Sequence, residues 1–139
     1  KDGIEALLFV SDNDIRQVIN NLECIYYSFD ILNIINIYKL IDKPKPVYIS
    51  DILKECFNGN YSNTINIVKD LYNKGYTPND ILLTFMKYLF EYNNNLEEEY
   101  KLNIYKIISN NYIKINNGVD TLLQLCGCIS KIFIYINKL

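Results

Sequence analysis

The sequence predicts an all-α protein in two parts, three short helices followed by a five-helix bundle. Three observations predict it. Apolar residues recur at helical spacing along almost the whole chain, while strand-like alternation is scarce. Helix caps and breakers punctuate those stretches. Pro44 and Pro46, two prolines within three residues, interrupt the pattern once, where no helix can continue. Ile and Tyr are abundant and favour strands intrinsically, but spacing outweighs propensity when the two conflict. With 139 residues, 50% of them hydrophobic, the chain can bury the core of one domain or of two small ones.

Ile4, Leu7 and Leu8 form a first short apolar stripe. Ser11 is placed as the N-cap of the next helix, with Asp14 three residues on as a weak capping box; such a cap stabilises by about 1 kcal/mol. That helix carries Ile15, Val18, Ile19 and Leu22 at i, i+3, i+4 and i+7, the stripe expected to face a core. Asp30 precedes a third run, with Ile34, Ile37, Tyr38 and Ile41 on one face. The domain boundary falls at Asp42-Lys43-Pro44-Lys45-Pro46, dividing residues 1–42 from 43–139.

Five helices are expected beyond it. The first runs from Val47 to Phe57 and ends at Asn58-Gly59-Asn60. The second runs from Ser62 to Lys74, with Gly75 as its left-handed terminator. In the third, Thr77 is the cap, Pro78 occupies the first helical position and Asp80 favours the first turn; it ends near Asn93-Asn94-Asn95. The fourth spans about Leu96 to Ile115, opened by Glu97-Glu98-Glu99 and broken at Asn116-Asn117-Gly118. The fifth runs from about Val119 onward; Leu122, Leu125, Ile129, Ile132, Phe133 and Ile136 make it apolar on most sides, so it belongs at the centre of a core or an interface. Asn away from helix ends reads as surface filler.

Composition excludes several function classes. A formal net charge of -2 argues against a dedicated nucleic-acid surface, which needs excess Lys and Arg. Residues 1–42 hold three cations against seven carboxylates (net −4), and residues 43–139 eleven against nine (net +2). No uninterrupted apolar run reaches the roughly 18 residues of a membrane span, so no membrane partner is expected. No GxxxxGK[ST] phosphate loop is present. The absence of histidine removes Ser-His-Asp and Cys-His nucleophile systems. The four cysteines form no CxxC pair; zinc is not expected, and Cys24, Cys56, Cys126 and Cys128 read as free, mostly buried thiols. Tyr26, Tyr27, Tyr88, Tyr92, Tyr105 and Tyr112 lie mostly at helical spacing and read as core or subunit contacts rather than base-stacking platforms. The sole methionine is Met86, which suggests a chain cut from a longer protein.

Within Gly3 to Glu23, the residues Ser11, Asp14, Arg16, Asn20 and Leu22 follow an apolar helix in a fixed order. This stretch resembles the lid of AAA+ clamp-loader small subunits, the replication factor C family, which reads S-x-G-D-x-R-x-x-x-N-x-L-Q. Asn13 stands where Gly is usual, and Glu23 where Gln is usual. The run from Lys39 to Pro46 resembles the proline-marked exit from that lid. Leu71 to Ile81 resembles the family's L-x-x-x-G-Y-S-P-x-D-I segment, and Asn117 to Leu125 the start of its last helix.

The resemblance implies that residues 1–42 are a helical lid and 43–139 a collar joining five subunits into a ring. It implies a nuclear machine that uses ATP and magnesium to place a sliding clamp on primer-template DNA. It also implies that the ATPase core lies outside this chain, which then carries no cofactor or metal and is not an enzyme by itself. Arg16 becomes the second-sensor arginine, reaching the γ-phosphate of its own subunit's ATP; a guanidinium offers fork-like, permanently charged donors for that purpose. On the residues alone, the first reading of Arg16 is an ordinary exposed arginine near a helix start, with Asp12 and Asp14 offsetting its position, and only the resemblance makes the nucleotide role the preferred one. The alternatives are a helical scaffold that binds peptides between helices, and thiol chemistry at Cys126 or Cys128.

Overall fold

The structure, a computed structural model, describes residues 2–41, 43–91 and 96–138. These residues form eight helices and no strand, the all-α architecture expected. The chain divides into two compact units, Lys1–Lys43 and Pro44–Leu139, each with its own core.

The first unit holds α1 (Asp2–Val10), α2 (Ile15–Phe29) and α3 (Ile34–Leu40), which pack pairwise. Its core is Ala6, Leu7, Phe9, Val10, Ile25 and Ile37. α1 dominates because it contributes four of those six side chains. Gly3 lets α1 approach the loop before α3 closely: a Cβ there would lie 3.2 Å from the Leu32 carbonyl oxygen. Asp30 does not start α3. It ends α2 in a left-handed conformation (φ 56°), and Asn33 caps α3 by accepting from the Asn36 amide at 2.7 Å. Of the face expected on α3, Ile37 is buried, Tyr38 and Ile41 are half-buried and Ile34 is exposed.

The stripe expected to anchor α2 points the other way. Ile15, Ile19 and Leu22 are 42–73% exposed, as is Tyr26 one further turn along, and Val18 is only half-buried. With about 100° per residue, Val18, Asn21 and Ile25 form the inward edge, and the larger apolar stripe lies beside it. A unit of this size lacks the inward surface to cover both.

The second unit holds α4 (Pro46–Phe57), α5 (Tyr61–Asn73), α6 (Pro78–Glu91), α7 (Glu98–Asn116) and α8 (Leu122–Asn137). Pro46 itself is the first residue of α4, where its missing N–H costs nothing. Gly75 (φ +97°) ends α5 as expected; its own amide and that of Tyr76 close back on the Tyr72 and Leu71 carbonyls. Thr77 Oγ1 accepts from the Asp80 amide at 3.1 Å and donates to the Asp80 carboxylate, completing the cap of α6. The end expected for α6 near Asn93–Asn95 lies outside the described residues. Thr121 caps α8 through the Gln124 amide.

α8 packs against α4, α5 and α7, with Leu125, Cys128, Ile129, Ile132, Phe133 and Ile136 buried. It is the central helix that its apolar surround predicted. Asn is more than filler here. Asn111, 2% exposed, donates to the Ile107 carbonyl and accepts from Gln124, linking α7 to α8. Asn137 donates to the Cys56 carbonyl and so ties α8 to the end of α4. The buried Asn111 amide thus has both its nitrogen and its oxygen satisfied, as a polar group in a core requires.

Candidate functional site

The turn between α1 and α2 carries the polar residues singled out in the sequence. Ser11 is fully buried and is not the N-cap. Its amide closes the end of α1 on the Leu7 carbonyl, and its Oγ accepts from Asn21 Nδ2 at 2.9 Å. Asp12 and Asn13 follow in left-handed conformation, both with φ 57°. Asn is among the residues that best tolerate this region, so the turn forms although Gly is absent at position 13. These two residues lengthen the turn and leave Ser11 too early to reach the next helix. Asp14 caps α2 instead, with Oδ1 accepting from the Arg16 amide at 2.9 Å.

Arg16 therefore stands in the first turn of α2, exposed, with Asn20 and Glu23 on the same exposed flank. Its amide is held by the cap, while among the described residues no ion pair or hydrogen bond restrains its guanidinium. The flank lies about 100° around the helix from the exposed Ile15–Ile19–Leu22 stripe, so α2 presents a cation and an apolar surface side by side. Lys43 reaches back to the same turn: Nζ donates to the Val10 carbonyl at 3.0 Å and pairs with Asp12 Oδ2 at 3.5 Å. Sequence reasoning missed both Asn21 and Lys43, because pairings 10 and 33 residues apart leave no local signal.

The rival chemistries have little to work with. Burial pushes the Cys128 thiol up to about 12, against weaker opposing effects of Lys131 and Asn111. Burial likewise raises Cys56 to about 11, with Thr64 opposing, and raises Cys126 despite Lys69 nearby. A neutral thiol is a poor nucleophile, so thiol catalysis at Cys126 or Cys128 is disfavoured. At pH 8 an alkylating reagent is expected to label exposed Cys24 first, Cys126 slowly, and Cys56 and Cys128 only on unfolding. Peptide mapping of the time course checks this, and fast labelling of Cys128 contradicts it.

A peptide-binding scaffold needs an apolar trough. The depression between α4 and α5 is lined mainly by polar groups, among them Asp51, Glu55, Asn63, Asn66 and Asp70. Of the tyrosines, Tyr26, Tyr27 and Tyr105 are exposed, Tyr88 and Tyr112 pack against the second core, and Tyr92 lies outside the described residues. No described helix is long and apolar enough to cross a membrane.

Residues 44–131 match the family model of the replication factor C C-terminal domain. The chain belongs to the replication factor C family. The matched segment begins at Pro44, the residue at which the second unit begins. Similarity to replication factor C proteins extends over both units. The chain is 32% identical to replication factor C subunit 2 of Arabidopsis thaliana over 133 residues, which is 96% of this chain and 39% of that protein. It is 34% identical to replication factor C subunit 4 of Saccharomyces cerevisiae over 141 residues, 99% of this chain and 42% of that protein. To the replication factor C small subunit of Methanococcus maripaludis it is 26% identical, over 94% of this chain and 41% of that one. The chain thus spans about two fifths of the length of these curated relatives.

Proposed function

We propose that this chain is the C-terminal part of a replication factor C small subunit of the subunit-two type, with the first unit as lid and the second as collar. In the full-length protein the lid presents Arg16 to the γ-phosphate of ATP bound by the ATPase core. The collar joins the subunit to the other replication factor C subunits in a heteropentamer. The assembled machine loads the sliding clamp onto primer-template DNA in the nucleus. Hydrolysis belongs to the core and not to this chain. Magnesium, like ATP, is assigned to the core.

The observation that carries this reading is the surface of α2. An exposed arginine at the helix start and an uncovered apolar stripe on the adjoining face suit a flap that closes on another module with a phosphate beneath it. The collar assignment is supported by the family match and by large apolar side chains left exposed on the second unit, including Phe90 at 85% and Leu123 at 83%. Co-expression with the other small subunits of the same organism tests it. The chain is expected to co-purify with them as one species on size exclusion. Migration of this chain alone, under conditions where those subunits associate with one another, rejects the collar role.

A further inference from the structure

The inference here rests on the nucleotide role proposed for Arg16 and concerns what aims that side chain. α1 ends without a basic residue in its last turn, so its terminal carbonyls, the negative end of the helix dipole, lack a local cation. Lys43 supplies one from 33 residues away, with Nζ 3.0 Å from the Val10 carbonyl oxygen and 3.5 Å from Asp12 Oδ2. Asp12 is the first of the two left-handed residues that redirect the chain from α1 into α2. Asp14, directly after them, holds the Arg16 amide at 2.9 Å. On the inner side Asn21 holds Ser11. The turn is therefore clamped from α2 by Asn21 and from the end of the unit by Lys43.

We propose that Lys43 is a positioning residue for Arg16, fixing the α1–α2 turn so that α2 starts in one orientation and its guanidinium is delivered to one place. Lys43 is also the last residue of the first unit, followed at once by Pro44-Lys45-Pro46, and Pro46 is the first residue of α4. Two prolines leave this connection little slack.

Equilibrium binding of ATP and of ADP to the full-length subunit in its complex tests the proposal, using Arg16→Ala, Lys43→Met, Lys43→Arg and the Arg16→Ala/Lys43→Met double variant. Lys43→Met is expected to weaken ATP binding about three- to tenfold, the scale of a small misplacement, and to leave ADP binding unchanged. Lys43→Arg, which keeps a cation with donors, restores ATP binding to within about twofold. In the Arg16→Ala background Lys43→Met adds nothing, because a residue acting through Arg16 has no effect without it. Equal losses for ATP and ADP, or additive losses in the double variant, overturn the positioning role. If Arg16→Ala alone leaves ATP binding intact, the nucleotide role itself fails and the inference falls with it. Should Lys43→Met prevent folding, Lys43→Gln, which keeps a donor for Val10 without the charge, is read by the same criteria.

Discussion

Arg16→Ala in the full-length subunit is expected to weaken ATP binding about 10- to 100-fold while sparing ADP. A hydrogen bond to a charged group contributes about 1.5–3 kcal/mol, and each 1.4 kcal/mol is tenfold in affinity. The discrimination between nucleotides follows from the assigned contact, since only ATP carries the γ-phosphate. Folding should be unaffected. Arg16 is exposed, the cap uses its backbone amide rather than its side chain, and a cation in the first helical turn is mildly unfavourable. Arg16→Lys should fall between the two, because an ammonium keeps the charge but loses the planar fork. Binding isotherms together with a melting curve decide the matter. Unchanged ATP affinity in a folded Arg16→Ala protein removes the second-sensor assignment.

Phe85→Ala is expected to destabilise the second unit by about 3–5 kcal/mol. The ring is fully buried in α6, within the core that α8 completes. A domain of this size has about 5–15 kcal/mol in total, so the loss removes a large share of it. The two units have separate cores, so urea unfolding should show the second unit's transition moving to lower denaturant while the first unit's stays in place. Subunit assembly should weaken in step with folding. Equal displacement of both transitions contradicts independent cores.

The contrast between α8 and α2 shows what could be foreseen. For α8, apolar residues surround most of the helix, so almost any packing buries Leu125, Ile129 and Phe133, and burial was legible from spacing. For α2, two apolar edges compete. The Val18–Ile25 edge is the poorer one in sequence, yet it faces the core because α1 and α3 leave room for that edge alone. Periodicity reports that a helix has an apolar face; it does not report which neighbour is available to cover it.

Sequence by itself determined the helices, the break at Pro44 and Pro46, the left-handed stop at Gly75 and the cap at Thr77. Each of these is set by residues within about one helical turn of one another, where backbone sterics and capping bonds act locally. Tertiary structure alone decided that Ser11 is buried on Asn21, that the α2 stripe stays uncovered, and that Lys43 closes the turn. Those outcomes depend on which groups from distant parts of the chain arrive at the same place, and that is settled by competition for a small interior.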